Sequence, residues 1–494
     1  MKDDINNKFL NATKWSAITE GFSKLVSPIT NMILARIISP EAFGVVATIT
    51  MIISFVDMFT DAGFQKYLVQ HKFTTKEDLY ESSNVAFWTN FLFSIILWLI
   101  IIIFKDSIAI LVGNPGLGNV ISIACVQILL TSFSSIQMAI YRRNFNFKTL
   151  FLVRIISVFI PFVITVPLAL FGFSYWSLVI GSISIQISNA VILTIKSKWK
   201  PKLFYRIRIL KEMFSFSVWS LIEAISIWLS SWIDILVIGN YLNQYFLGLY
   251  KTSTSMVNII MSLIVSSIIP VFFSTLSRLQ EDEEAFNDMF FKTQKFLSII
   301  ILPLGAGIYL YRNFATNIML GSNWSEAQLI IGLCALTTSI KIVLGDLCSE
   351  VYRAKGKPKV SLLAQILHLI FLIPSCIISI KYGFLTFVYI RSFMRLQFIV
   401  VHFIIMKYIM NISVKNTIRN IFPVIISTLF MTGFAYLIKG FESRLIIWNI
   451  ISILICICIY FFNLYLFPSM RKEMNNLFKN IKSNFFRSKS VANS

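Results

Sequence analysis

Charge is scarce in this chain. Of 494 residues only 14% are Asp, Glu, Lys or Arg, where a soluble domain carries about a quarter. Hydrophobic residues make up 56%, and the mean hydropathy is +0.76. That shortage excludes both a soluble globular protein and a disordered one. Histidine is rarer still, with three in the whole chain, and no His/Cys cluster has the spacing of a metal site. The six cysteines, Cys125, Cys334, Cys348, Cys376, Cys456 and Cys458, all sit in apolar runs. They read as small core hydrophobes, not as disulfide partners or ligands. The 19 glycines form no phosphate-cradling loop with a Walker lysine, so the chain does not itself hydrolyse ATP. No cofactor and no metal are expected. Ten-residue alternating segments are lacking too, which excludes a membrane β-barrel.

Long apolar runs are what the sequence has in abundance. Fourteen can be traced, at approximately 13–37, 42–63, 84–104, 118–140, 150–172, 174–195, 213–238, 247–275, 290–311, 325–350, 359–380, 383–407, 417–438 and 444–467. Nearly all are long enough to cross about 30 Å of hydrocarbon as helix. The expected fold is an all-α polytopic membrane protein with about 14 transmembrane helices. Met1–Lys8 is polar and reads as no signal peptide.

The formal charge of +21 is distributed by loop. One set of loops holds Lys66, Lys72 and Lys76, then Arg142, Arg143 and Lys148, then Lys196, Lys198, Lys200, Lys202, Arg206, Arg208 and Lys211. Arg353, Lys355, Lys357 and Lys359 follow, and the tail adds Arg471, Lys472, Lys479, Lys482, Arg487 and Lys489. The alternate loops hold little beyond Lys105, Arg312, Lys381, Lys439 and Arg444. By the positive-inside rule the basic side, with both termini, is cytoplasmic. The positive charge then reflects topology and contact with anionic membrane lipids, and nucleic acid is not an expected partner, since no basic domain stands apart from the membrane.

An internal repeat straddles the basic 196–212 stretch. Trp15-Ser16 recurs as Trp219-Ser220, and at the same offset of 204 Ile18 matches Ile222, Ser27 matches Ser231, Gly44 matches Gly248 and Thr48 matches Thr252. Tyr141, Arg142 and Lys148 recur as Tyr352, Arg353 and Lys359 at an offset of 211. The expected organisation is a six-helix lobe over 1–200, a basic cytoplasmic linker over 201–212 and a second six-helix lobe over 213–410. Two additional helices over 411–470 and a basic cytoplasmic tail over 471–494 complete it. Six is even, so the lobes share orientation and relate by a pseudo-two-fold along the membrane normal, an architecture of transporters with a site between repeats.

Ionisable side chains inside a bilayer need a partner or water. Ser16, Glu20, Lys24, Ser27 and Asn31 share one face of the first span. Ser220, Glu223, Ser226, Ser230 and Asp234 do so on the seventh, and Lys251, Ser255, Asn258, Ser262 and Ser266 on the eighth; the second adds Ser54, Asp57 and Asp61. Four helices striped this way most simply line one cavity. Glu20 and Lys24 can instead neutralise each other at i,i+4, and Asp57, Asp61 and Asp234 can sit at span ends in the headgroups. Arg391 and Arg395 lie near the middle of the twelfth span, where they must reach water, an acid such as Asp346, or an anionic ligand; the guanidinium fork suits phosphate. Lys341, Asp346, Gln365 and His368 can belong to the same polar zone. Arg154 lies near enough to a span end to snorkel or to touch substrate. Prolines inside spans (Pro28, Pro161, Pro167, Pro270, Pro303, Pro374 and Pro423) can kink their helices.

The stretch from Leu34, with the Pro40-x-x-Phe43-Gly44 turn, then Asp61-x-Gly63 and Leu68-x-Gln70, resembles the start of bacterial polysaccharide flippases. Ala86-Phe87-Trp88, the Arg142–Phe147 segment and the run from Phe216 to Tyr250 match as well. The resemblance is to Wzx-type lipid-linked oligosaccharide flippases, the polysaccharide transporter branch of the multidrug/oligosaccharidyl-lipid/polysaccharide exporter superfamily, over most of residues 10–410. It departs at Ile238–Asn243, where the usual second glycine of the turn is missing. It implies a non-enzymatic transporter of the bacterial inner membrane that moves an undecaprenyl-pyrophosphate-linked oligosaccharide by alternating access, with polymerase and chain-length machinery as further partners. Lys24, Lys251, Arg391, Arg395 and Arg154 are the candidates for substrate. Glu20, Asp57, Glu223 and Asp234 are candidates for coupling or charge balance. The alternatives are a cation-coupled drug antiporter of the same superfamily and a membrane polysaccharide polymerase or glycosyltransferase. The second would need a sizeable outer loop carrying a catalytic acid, and none is evident.

Overall fold

The computed structural model describes residues 2–61, 64–439 and 446–471. They form α1 (Lys2–Ile37), α2 (Pro40–Asp61), α3 (Phe64–Gln70), α4 (Lys76–Ile103), α5 (Lys105–Leu111), α6 (Gly118–Ala124) and α7 (Val126–Arg143). The chain continues through α8 (Phe147–Ile160), a wide π-turn at Pro161–Thr165, α9 (Val166–Leu170), α10 (Tyr175–Lys196), α11 (Ile207–Tyr241) and α12 (Gln244–Arg278). Next come α13 (Glu283–Leu310), α14 (Arg312–Met319), a 3-10 turn at Ser322–Trp324 and α15 (Ala327–Lys341). A second π-turn at Ile342–Asp346 leads to α16 (Leu347–Ala354), α17 (Pro358–Ile380), α18 (Phe384–Tyr408), α19 (Val414–Lys439) and α20 (Ile446–Leu466).

Among the described residues, 13 stretches are long and apolar enough to cross a membrane, and they follow the second to fourteenth expected runs in order. The chain is therefore an all-α, multi-pass membrane protein. The first expected run falls on α1, many of whose side chains lie outside the described residues. Local signals set the helix ends. Thr75 caps α4 by accepting from the Asp78 amide at 3.0 Å, and the Asp78 carboxylate accepts from the Thr75 amide at 3.0 Å, a reciprocal capping box. Pro161 opens the wide turn that interrupts the fifth run, where its missing amide cannot continue an α-helical ladder.

The helices divide into two compact units. The first comprises Met1–Ile259, Asn317–Ala327 and Gln365–Arg391; the second comprises Ile260–Thr316, Gln328–Ala364 and Ser392–Ser494. In the first, Phe64, Leu68, Phe87, Trp199 and Met213 share a core. In the second, the Tyr460 hydroxyl donates to the Ile299 carbonyl at 2.9 Å and Asn420 Nδ2 to the Phe291 carbonyl at 2.7 Å, tying α20 and α19 to α13.

Residues of the sequence repeat meet one another inside the first unit. A Cβ on Gly44 of α2 would collide with the backbone of Gln244 and Gly248, and one on Gly248 of α12 with the backbone of Pro40 and Gly44. Pro40 and Gln244 stand at the same offset of 204 as the two glycines, so the contact is reciprocal, as a two-fold relation requires. Two contacts at repeat-equivalent positions close the ends of α1 and α11. Arg36 Nη2 donates to the Ile318 carbonyl at 2.8 Å and Trp324 Nε1 to the Ala35 carbonyl at 2.7 Å. Asn240 Nδ2, which corresponds to Arg36 at that offset, donates to the Leu111 carbonyl at 2.8 Å. Gly113 and Gly321 supply the positive φ values, 75° and 97°, at these two turns.

Reciprocity yields a prediction. Gly44→Val and Gly248→Val each force two backbones apart, and each should cost roughly 1–3 kcal/mol, visible as a lowered melting temperature of the purified protein. Because both act on one contact, the double variant should lose clearly less than the sum of the two. Strict additivity would contradict a shared contact.

Candidate functional site

Four helices of the first unit converge on a cavity of about 230 Å³. Asn31 comes from α1, Phe43 and Thr50 from α2, Trp232 from α11, and Lys251 and Ser255 from α12. These helices are the first two of each expected half, the ones that carry the polar stripes. The Lys251 ammonium lies 3.7 Å from the centroid of the Trp232 ring, a cation–π contact that holds the cation while leaving donors for a ligand. Asn31, Thr50 and Ser255 add an amide and two hydroxyls. Among the described residues the lining contains no carboxylate. The arrangement suits an anionic or polyhydroxylated group.

Beside it lies a buried ion pair. Arg391 Nε donates to Asp234 Oδ1 at 2.5 Å, with the side chains 10% and 9% exposed. The Tyr250 hydroxyl donates to Asp234 Oδ2 at 3.1 Å, and Arg391 Nη2 donates to the Ser230 carbonyl at 3.1 Å. Gln365 Nε2 donates to the Ser230 hydroxyl. Asp234 is thus buried in protein, and its two oxygens already hold a guanidinium and a phenol. The acid that meets Arg391 is Asp234; Asp346 instead pairs with Lys341 at 2.6 Å.

The other sequence candidates are not among the described residues that line the cavity. Lys24 is half-buried on α1 and Asp57 half-buried on α2. Arg154 is exposed on α8 and its Nε donates to the Ser23 hydroxyl at 3.0 Å. Arg395, one turn beyond Arg391 on α18, belongs to the second unit and donates to the Thr337 hydroxyl at 3.4 Å. Glu20 and Glu223 lie on α1 and α11, but their side chains fall outside the described residues, as does that of Asp61. His368 is a buried residue of α17. Sequence reasoning missed Trp232 and Tyr250. Aromatic residues in apolar runs look like ordinary lipid-facing or core positions, and only the 19-residue return from Trp232 to Lys251 marks the pair.

The ion pair is testable by a cycle. Asp234→Asn and Arg391→Gln each strand a buried partner and should each lose about 3–5 kcal/mol of stability. The double variant Asp234→Leu/Arg391→Leu removes both charges and should regain most of that loss in thermal denaturation. Single variants as stable as the parent would show that the two groups are not coupled.

Comparison with known proteins places the chain among others. Residues 33–329 match a family model described as polysaccharide biosynthesis protein. The succinoglycan biosynthesis transport protein ExoT of Rhizobium meliloti (strain 1021) is 26% identical over 328 residues, which is 66% of this chain and 65% of ExoT. The alignment thus spans just under two thirds of that relative's length. The lipopolysaccharide biosynthesis protein WzxC of Escherichia coli (strain K12) is 20% identical over 76% of both chains. Among solved structures, the lipid II flippase MurJ in an inward closed conformation superimposes with a TM-score of 0.75 at 16% identity, over 91% of this chain and 98% of that one. At that identity the likeness is one of fold.

Proposed function

The chain belongs to the polysaccharide biosynthesis protein family, and from that membership we propose that it is a flippase. Its cargo is an undecaprenyl-pyrophosphate-linked oligosaccharide repeat unit, moved from the cytoplasmic to the outer face of the bacterial inner membrane for surface polysaccharide synthesis. The observation that carries this reading is the cavity around Lys251, where α1, α2, α11 and α12 bring an ammonium on an aromatic face together with amide and hydroxyl groups. An ammonium is what a pyrophosphate requires, whereas a site for cationic drugs would need acids, and among the described residues this lining holds none. The likeness to ExoT, WzxC and MurJ, a transport protein, a lipopolysaccharide biosynthesis protein and a lipid II flippase, supports the same class.

Translocation proceeds by alternating access between lobes 1–200 and 213–410, with both termini cytoplasmic. With that topology, the repeat-equivalent contacts at Arg36–Ile318 and Asn240–Leu111 lie on the outer face, and cargo release requires them to part. Lys24 and Lys251 bind the pyrophosphate, while Asp234 fixes Arg391 and so supplies charge balance. Arg154 and Asp57 serve as outlying contacts. Polymerase and chain-length machinery act on the product after it has crossed.

Two experiments test the proposal. A deletion strain should accumulate the complete lipid-linked repeat unit, shielded from an added lectin in right-side-out cells and exposed after permeabilisation. Absence of any accumulated intermediate, or equal accessibility in both conditions, would count against a flippase; altered drug tolerance alone would favour an antiporter. For topology, a cysteine at Leu203, which is 92% exposed, should label only from the cytoplasm in a Cys458→Ser background. One at Phe173 should label only from outside. Outside labelling at 203 would invert the arrangement.

A further inference from the structure

A second cluster of intramembrane charge lies within the second unit. Lys341 lies halfway along the span Ala327–Ala354, and Arg395 halfway along Phe384–Tyr408. Lys341 Nζ meets Asp346 Oδ1 at 2.6 Å, and the two side chains are 29% and 38% exposed. Asp234 and Arg391, by contrast, are almost fully enclosed. Arg395 bonds the Thr337 hydroxyl at 3.4 Å, and among the described residues no carboxylate lies within ion-pair distance of it. Thr337 and Lys341 are one turn apart on α15; Arg395 and Phe398 are one turn apart on α18. Lys341 Nζ also lies 4.8 Å from the Phe398 ring centroid. Both cations therefore sit on the single seam between α15 and α18.

The ion pair depends on the π-turn at Ile342–Asp346. In a regular α-helix, residues five apart point roughly 140° away from one another and cannot pair. A π-turn closes at five residues and brings Lys341 over Asp346. Neighbouring residues accommodate this turn. Gln294, fully buried, donates from Nε2 to the Val343 carbonyl at 3.5 Å. Gly345 leaves room for Phe398, whose ring would lie 3.2 Å from a Cβ there. Single π-turns of this kind are frequent at functional sites. A half-exposed ion pair at mid-bilayer is too expensive to face lipid, so its open side meets water.

We infer that Lys341 and Arg395, with the Thr337 hydroxyl, form an oxyanion site for an acidic sugar of the lipid-linked cargo. Asp346 is the internal carboxylate that holds Lys341 until that sugar arrives. The inference rests on the flippase reading and adds the class of saccharide. Asp346 already shows that a carboxylate fits against Lys341. The Arg395 fork, held through one hydroxyl, keeps further donors for the second oxygen of a uronate. Cargo binding is then an exchange of one carboxylate for another at Lys341, with Arg395 as the cation that favours the incoming one.

The test uses the full-length purified protein and two probes, an undecaprenyl-pyrophosphate-linked disaccharide ending in glucuronic acid and the same lipid ending in glucose. Both carry the pyrophosphate, so only the sugar carboxylate differs. Wild-type protein should bind the acidic probe roughly tenfold more tightly, about 1.4 kcal/mol. Lys341→Gln and Arg395→Gln should erase that preference while leaving binding of the neutral probe in place. Asp346→Asn should enlarge it, because the internal competitor is gone; a variant that merely loosens the fold would not gain affinity. Equal loss of both probes in the two cation variants would assign the site to pyrophosphate or to packing and overturn the inference. So would a weakened preference in Asp346→Asn. A wild-type protein that binds neither glycolipid would overturn the flippase reading and the sugar site together, whereas binding of both without preference overturns the sugar site alone.

Discussion

A charged side chain at mid-bilayer must find a partner, water or a ligand, and the placement of Asp234, Arg391, Lys251, Lys341 and Asp346 follows from that requirement. Asp234 and Arg391 satisfy it inside the protein, at 2.5 Å and with Tyr250 and the Ser230 carbonyl as further partners. Lys251 satisfies it in part, through the Trp232 ring, and keeps donors toward a cavity. Lys341 and Asp346 satisfy it through a helix that widens by one residue to let them meet. The three solutions grade from closed to open, and their availability to a ligand grades with them.

Close backbone approach is the second constraint. Gly44 and Gly248 let α2 and α12 touch where any side chain would intrude. This contact brings the starts of both helices together, and the cavity around Lys251 lies a turn or less further along them. Small residues at such crossings are the usual means of packing helices where the hydrophobic effect supplies no force between them. Gly305 against Ser339 does the same in the second unit. The repeat in the sequence thus has a physical correlate: the same short motif serves twice, and its two copies meet.

Much of this was legible from residue order. Thirteen of the fourteen apolar runs match membrane-crossing stretches among the described residues, because length and hydropathy suffice when every backbone group must be satisfied within its own segment. The stripes from Asn31, Lys251 and Ser255 point to the helices that line the cavity, since helical periodicity is a local property. Partners distant in sequence were not legible. Asp234 and Arg391 are 157 residues apart, and the i,i+4 spacing of Arg391 and Arg395 suggested a joint role for two side chains that have different surroundings. The π-turn at Ile342–Asp346 left no mark beyond Gly345, because a one-residue widening barely alters composition or period. Trp232 was hidden for a similar reason, as one aromatic among many.

The claim on which the account turns is that the protein itself moves a lipid-linked saccharide between leaflets. Reconstitution into liposomes loaded with a fluorescent undecaprenyl-pyrophosphate-linked saccharide measures this directly, through the fraction of label open to a membrane-impermeant quencher. When label confined to the inner leaflet becomes accessible with wild-type protein and stays protected with Lys251→Gln, the cavity is the route. Equal accessibility with and without protein, in liposomes where it has inserted and folded, would contradict the account.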